Sequence, residues 1–276
     1  MAVTLALLAA VVYGAADFCG GLATRRASSE SVVFCSQLAG IVLLVPVLPL
    51  LGGTPAPPDF GWGAVAGIGG GLGVLLLYRA LSIGRMGVVS PITAVIAAVI
   101  PVVVSLAGGA RPAVLADIGI VLAIIAVVLV SATPEVDANA KRAVGVPTAI
   151  GSGMAIGVFL VLLARSSPHA GLYPLLGARC SSMLVVAVAA MVGKHALMPP
   201  RSSAGIVLVA GGLDMAANAL YVLAAQRGLL AIVATLTSLY PVSTIVLAAF
   251  VLRERLHRTQ WAGAFAALGG VVLISR

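Results

Sequence analysis

Long apolar stretches, separated by short breaks of proline, glycine and charged residues, run along the whole chain. An α-helix needs about 20 mostly apolar residues to cross the hydrocarbon core of a bilayer, because each residue adds only about 1.5 Å. Nine breaks leave ten stretches of roughly this length, so the pattern predicts an all-α integral membrane protein with ten transmembrane helices. Their expected bounds are 3–23, 32–52, 61–82, 87–108, 114–132, 145–164, 173–193, 204–224, 229–251 and 259–275.

The composition agrees with a chain whose solvent is lipid. Hydrophobic residues make up 61% of the 276 residues and charged residues 9%, whereas a soluble domain carries about a quarter charged residues. No connector is long enough to fold into a soluble domain, so we expect function to lie within a multi-pass protein of the inner or plasma membrane. The net charge of +8 is spread over the loops. This distribution fits orientation at an anionic leaflet and does not indicate nucleic-acid binding.

The second half of the chain repeats the first at a distance of 144 residues, without gaps from about residue 60 onward. Coincident Gly and Arg are more telling than coincident Ala and Val in so apolar a chain. We therefore predict a first five-helix repeat over 1–135, a connector at 136–143 and a second repeat over 144–276. The coincident pairs include Gly61 with Gly205, Thr93 with Thr237, Arg111 with Arg255 and Gly119 with Gly263.

An odd number of helices in each repeat requires the two repeats to have opposite orientations. Lys and Arg concentrate in the odd-numbered loops, so the charge bias moves by one loop between the halves, as the positive-inside rule requires of inverted repeats. The same rule places the odd-numbered loops in the cytoplasm and the termini outside. Inverted repeats are a common scaffold of alternating-access carriers, which bind their solute near the midplane where the repeats meet.

Asp214 is the best placed of the ionisable residues within the predicted helices. Such a group costs about 2.5–3.5 kcal/mol at a helix centre, so it is expected to face the protein interior or a wet cavity. Asn218 and Tyr221 follow at i+4 and i+7 and share its helix face. The alternative is a structural ion pair between Asp214 and Arg179.

Asp17 follows Tyr13 by four residues and lies on the same helix face. Its carboxylate is a candidate for taking up a proton or holding a substrate ammonium group; the alternative is a neutralising partnership with Arg79. Arg79 either extends to the interface along its aliphatic stem or holds a substrate carboxylate with a bidentate fork. Arg179 has the same two interpretations.

Glycines and prolines mark further candidate features. Five glycines between 67 and 73 predict close helix packing or, alternatively, an unwound segment that lines a cavity. Pro91, Pro101 and Pro241 are predicted to kink their helices and to act in gating. Thr237 and Tyr240, beside Pro241, are candidates for the cavity wall. Weaker candidates are Ser238, Ser90 and Thr93.

Three passages share a pattern with a known family. They are Tyr13-Gly14-Ala15, then Tyr78-Arg79-Ala80-Leu81-Ser82 with Gly84, and Leu252-Arg253-Glu254-Arg255-Leu256 followed by Gly263 and Gly269-Gly270-Val271. With ten spans in two five-span repeats, the chain resembles the drug/metabolite transporter superfamily, EamA type, over its whole length. The resemblance implies a ten-helix transporter with cytoplasmic termini, opposite to the loop charges. Ala110 stands where the family's first repeat has the glutamate that is kept as Glu254.

These observations predict a secondary transporter that exports a small organic solute, such as a metabolite, an amino acid or a drug-like compound. Alternating access about a midplane cavity is the expected mechanism, with proton coupling through Asp214 or Asp17. No nucleotide-binding motif is present, so ATP does not drive it directly. The expected partners are the solute, the bilayer and protons, and the protein is expected to be a monomer or a homodimer.

Two other classes remain as alternatives. An intramembrane enzyme is disfavoured, because zinc-protease spacing, paired catalytic aspartates and a Ser/His pair within the spans are all missing. The three cysteines have no metal-ligand spacing, so neither a metal nor a cofactor is expected. A membrane scaffold could share the duplication but has no need for charges buried at mid-span.

Overall fold

The computed structural model describes residues 1–83, 86–131, 145–251 and 258–274. Helices account for nearly all of these residues, and no strand occurs among them. The turn at 84–85, the connector 136–143 and the motif at 252–256 lie outside the described residues. The helices are α1 Ala2–Ala23, α2 Ser29–Leu51, α3 Pro57–Ile83, α4 Met86–Ala107, α5 Val114–Ser131, α6 Val146–Leu163, a 3₁₀ turn at Pro168–Ala170, α7 Pro174–Gly193, α8 Arg201–Ala225, α9 Leu230–Thr237, α10 Tyr240–Val251 and α11 Arg258–Ile274.

Ten apolar spans confirm the predicted membrane fold. Over the described residues, seven helical segments are long and apolar enough to cross a bilayer, counting α9 and α10 together as Leu230–Val251. Three shorter apolar segments, Ile92–Ala107, Val114–Leu129 and Trp261–Ile274, supply the other spans. Each bound predicted from the sequence lies within a few residues of the observed one.

The predicted kink sites behave differently from one another. The ninth span is broken between α9 and α10, where Ser238 and Leu239 separate the two helices just before Pro241. A proline in the first turn of a helix loses no intrahelical hydrogen bond, so the break accommodates it. The helix α4, in contrast, runs without a break through Pro91 and Pro101.

Helix packing follows the pattern of a two-fold repeat. Under exchange of the halves, α1 to α5 correspond to α6, α7, α8, the α9–α10 span and α11. The contact between α1 and α8 then corresponds to that between α3 and α6. In the same way α2·α8 corresponds to α3·α7, and α4·α6 corresponds to the contacts of α1 with α9 and α10. Every major contact therefore has its counterpart in the other half.

The contact between α5 and α11 joins two equivalent helices. A Cβ on Gly119 would lie 2.9 Å from the carbonyl oxygen of Gly270 and 3.0 Å from the nitrogen of Ile274. A Cβ on Gly270 would lie 3.2 Å from the nitrogen of Ala123. Residue numbers rise along α5 as they fall along α11, so these equivalent helices are antiparallel. This is the packing expected of inverted repeats.

The glycine-rich part of α3 is a regular helix that packs closely on two sides. Gly67 and Gly71 lie against α7, while Gly69 and Gly73 lie against α6. Small residues allow helix backbones to approach closely, which is the main source of helix association in lipid. The alternative of an unwound segment is not what the structure shows, because α3 is helical from Pro57 to Ile83.

Carboxylates join the repeats at both ends of the helix bundle. Asp59 is 4% exposed, and its two oxygens accept hydrogen bonds from the backbone N–H of Ala56 at 2.8 Å and of Ser167 at 2.7 Å. At the opposite end, Glu30 Oε1 lies 3.2 Å from Nδ1 of His195. Glu30 and Asp59 lie in the first turns of α2 and α3, and their contacts with His195 and Ser167 join these helices to loops of the other repeat.

We expect Gly71→Ala to destabilise the protein, because the new Cβ would lie 2.8 Å from Cα and 2.9 Å from the carbonyl oxygen of Ser182. Overpacking of this kind costs about 1–3 kcal/mol. Gly61→Ala in the same helix is the matched control, since nothing lies within 4 Å of a Cβ there. Thermal unfolding of the purified variants checks this. Equal stability of the two variants would contradict the packing role of Gly71.

A candidate solute-binding cavity

A central cavity lies between the two repeats and holds about 810 Å³ of empty space, including the space at its opening. Residues of α1 to α4 and of α6 to α10 contribute to its wall, whereas α5 and α11 contribute none among the described residues. The cavity therefore lies on the axis that relates the repeats.

An ion pair occupies one part of the cavity wall. Arg179 Nη2 donates to Oδ2 of Asp214 at 2.6 Å, and Nη1 of the same guanidinium donates to Oε1 of Gln37. The two charged side chains are 7% and 18% exposed. The guanidinium and the carboxylate cancel each other's charge, and the amide of Gln37 takes a further N–H. The structure thus forms the ion pair that the sequence left as the alternative for Asp214.

Asp17 is the carboxylate that the cavity leaves unpaired. Among the described residues no ion pair or hydrogen bond reaches its side chain, which is partly exposed on the cavity wall. Asp17 and Asp214 line the same cavity. Arg79, the partner considered from the sequence, is exposed and does not line the cavity.

Several buried polar atoms at the cavity wall also lack a partner within the described ranges. They belong to residues of four different helices that surround the same space, and their positions coincide with the polar part of the wall. A buried polar atom without a hydrogen bond costs about 1–3 kcal/mol, so water or a bound solute is expected to satisfy them. The atoms are Tyr13 OH, Ser182 Oγ, Asn218 Oδ1 and Thr237 Oγ1.

The family model that describes the EamA-like transporter family matches residues 1–132 and 143–276, one match for each repeat. The chain belongs to the EamA-like transporter family. This confirms the resemblance to the drug/metabolite transporter superfamily. Comparison with curated proteins gives no significant match. A protein of known crystal structure shares the fold with a TM-score of 0.68 at 15% identity, over 99% of this chain and 95% of that one.

The cavity of this EamA-like transporter has a polar wall and an apolar wall. The polar groups come from α1, α2, α7, α8 and the break between α9 and α10, whereas α3, α4 and α6 present Val74, Leu77, Ala97, Ile156 and Phe159. The difference arises between equivalent helices, α3 and α8. A shift of 144 carries position 70 to 214 and position 74 to 218, so glycine and valine stand in α3 where α8 has a carboxylate and an amide.

Tyr221 is a correction to the sequence-based candidate set. It is fully buried, its hydroxyl donates to the carbonyl oxygen of Leu160 at 3.0 Å, and it does not line the cavity. The side chain therefore fastens α8 to α6. A spacing of i+7 places Tyr221 only approximately on the helix face of Asp214. In the structure its side chain packs against α6 and points away from the cavity.

The residues around the break in the ninth span divide into two groups. Thr237, Ser238 and Tyr240 line the cavity, and the hydroxyl of Tyr240 donates to the carbonyl oxygen of Ser90 at 3.3 Å. Ser90 and Thr93 are buried outside the cavity wall, where Thr93 Oγ1 donates to the carbonyl oxygen of Ala149 at 3.2 Å. The break therefore brings polar groups of one repeat, and not those of the other, to the cavity.

Gln37 is the residue that the sequence analysis missed. It is 3% exposed and supplies the amide oxygen for Arg179. The available signal was an amide in the middle of an otherwise apolar span, which needs a hydrogen-bonding partner for the same reason that a charge does.

We expect Arg179→Gln and Asp214→Asn each to lower the unfolding temperature, because each leaves one charge without its partner. The double variant is expected to recover part of the loss, with a coupling energy of about 0.5–3 kcal/mol. Thermal unfolding of the purified single and double variants measures this energy. Arg79→Gln is the control, since this side chain is exposed and its effect is expected to stay within about 0.5 kcal/mol. Strictly additive effects would show that the pair contributes nothing as a unit.

Proposed function

We propose that this protein is a secondary carrier that exports a small organic solute across the inner or plasma membrane in exchange for protons. The observation that supports it is the unpaired carboxylate of Asp17, which lines a cavity at the interface of the two repeats. A carboxylate in this place is expensive in lipid and has no structural partner among the described residues. A functional role is therefore the explanation that remains for a carboxylate at this position.

The architecture supports an alternating-access cycle. Two similar modules that surround one cavity can rock about it, so that the same site opens first to one side of the membrane and then to the other. The carboxylate contacts at the two ends of the bundle, Asp59 with Ser167 and Glu30 with His195, join opposite repeats. We assign them the role of strengthening the closed state of the end at which each lies.

Asp17 is better suited than Asp214 to exchange protons. The carboxylate of Asp214 is held by the guanidinium of Arg179 at 2.6 Å, and protonation would break that ion pair. Protonation of Asp17 breaks no ion pair or hydrogen bond within the described residues. The proton site and the fixed ion pair are therefore separate parts of one wall.

The alternative classes have less support. A scaffold needs neither an open cavity nor a free carboxylate within it. For a metalloenzyme, the described residues contain no group of three or more His, Cys, Asp or Glu side chains that could hold a metal. The carrier interpretation accounts for the cavity, the carboxylate and the duplication together.

The test is solute-driven proton movement in proteoliposomes that contain a pH-sensitive dye. A panel of amino acids, nucleosides and organic amines is added to the protein and to empty vesicles. We expect at least one solute to drive protons in the wild type, and Asp17→Asn to reduce the rate to that of empty vesicles. Asp117→Asn is the matched control, because Asp117 is exposed on α5, away from the cavity.

Two results would contradict the proposal. Wild-type proton movement in Asp17→Asn would remove Asp17 from the coupling step. Absence of transport for every solute of the panel, in either direction of the pH gradient and with folded protein, would remove the carrier itself.

A further inference from the structure

We infer that the solute is a small amphipathic amine, recognised as its protonated N–H-bearing monocation by Asp17. This assignment rests on the proposed carrier function and names the substrate class of the same cavity. Three properties of the wall lead to it: its net charge, the kind of hydrogen-bonding atoms it leaves free, and the distribution of its apolar surface.

The charge of the wall selects a cation. Its charged residues, within the part of the chain that the structure describes, are Asp17, Arg179 and Asp214. The last two neutralise each other at 2.6 Å, so one negative charge remains when Asp17 is ionised. A monocation cancels this charge. An anion would add to it in a region of low dielectric, where charge interactions are strong.

The ion pair also argues against a zwitterionic solute such as an amino acid. A substrate carboxylate would need the guanidinium of Arg179, which already donates to Asp214 and to Gln37. Taking Arg179 for the substrate would leave the carboxylate of Asp214 unpaired beside that of Asp17. The wall therefore offers a site for an ammonium group and none for a carboxylate.

Two of the free groups on the wall, Oδ1 of Asn218 and the ionised carboxylate of Asp17, can only accept, so they favour a head group that donates. The free hydroxyls of Tyr13, Ser182 and Thr237 can accept from it as well. Oδ1 of Asn218 accepts no hydrogen bond from the described residues. The Nδ2 group of the same amide is already used, since it donates to the carbonyl oxygen of Asp214 at 2.8 Å. The carboxylate oxygens of Asp17 are acceptors as well. A protonated amine supplies N–H groups to such acceptors, and charge-assisted hydrogen bonds of this type are the stronger ones. A quaternary ammonium has the same charge but no N–H to donate.

The apolar wall selects the rest of the molecule. The cavity is also lined by Val74, Leu77, Ile156 and Phe159, contributed by α3 and α6. A hydrocarbon or aromatic body lying on this side would leave the polar head at Asp17. The rings of Tyr13 and Tyr240 line the same space and favour a cation nearby through their π faces.

Recognition at Asp17 also explains the coupling. A protonated carboxyl cannot pair with an ammonium ion, so a proton and the amine compete for one group, and release of the proton to water accompanies binding of the cation. The other titratable or charged groups that interact with Asp17 are Asp214 of α8, Tyr13 of α1, Tyr78 of α3 and Tyr240 of α10. The guanidinium of Arg179 lies on the same wall and is paired.

The test compares four probes that share the 2-phenylethyl group: 2-phenylethylamine, its N,N,N-trimethyl derivative, phenylalanine and 2-phenylethanol. Ligand-dependent thermal stabilisation of the purified full chain gives the apparent Kd of each. We expect the amine to bind best and each of the other three to bind about tenfold more weakly or worse. The alcohol lacks the charge, the trimethyl derivative lacks the N–H donors, and phenylalanine lacks the net positive charge. Lowering the pH is expected to weaken amine binding through competition at Asp17.

The head-group comparison uses the wild-type protein, so it does not depend on whether a variant folds. Asp17→Asn should abolish the preference for the amine, and Asp117→Asn should keep it. Phenylalanine or the trimethyl derivative binding as well as the amine, or a Kd of the amine unchanged in folded Asp17→Asn, would overturn the inference. If another solute still drove proton movement that depends on Asp17, only the amine assignment would be wrong and the proposed carrier function would be kept. If no solute drove proton movement, both the assignment and the carrier function would be wrong.

Discussion

A charge within the hydrocarbon core needs a partner or water, and this requirement organises the centre of the protein. Arg179 meets it with Asp214 and Gln37 on two neighbouring helices, α8 and α2. The contacts fix the position of α7 relative to both repeats at the depth of the cavity. Once this pair is formed, Asp17 is left as the one unpaired charge of the described cavity wall. The charge selection and the proton exchange that we propose both depend on this unpaired carboxylate.

Close backbone packing holds the ion pair in place. The α3 glycines bring α6 and α7 against α3, and α7 carries Arg179. Lipid provides no hydrophobic force between helices, so contact of small residues takes over the role that apolar burial has in water. The glycines therefore support the site, although of the five only Gly67 and Gly70 line the cavity. Their contribution is to fix where the guanidinium of α7 meets the carboxylate of α8.

The arrangement of the helices is symmetric, but the residues that line the cavity are not. Helix contacts exchange between the repeats, as expected of inverted repeats that are related by a pseudo-two-fold axis. At equivalent positions, however, α8 has Asp214 and Asn218 while α3 has Gly70 and Val74. Duplication thus provides the symmetric arrangement of helices, and divergence of the lining gives the cavity polar groups on α8 where α3 has none. An amphipathic solute fits this combination better than a uniformly polar one.

The sequence by itself determined the ten spans, the duplication, and the residues that must avoid lipid, because bilayer thickness and the cost of a charge depend on position along a single helix. Rotation of each helix about its own axis depends on its neighbours and was decided only by the tertiary structure. Packing turned Tyr221 to Leu160, left Arg79 exposed, and joined Arg179 to Asp214 and Gln37. Which carboxylate remained free followed from these contacts, since a pairing between three helices cannot be derived from the spacing within one.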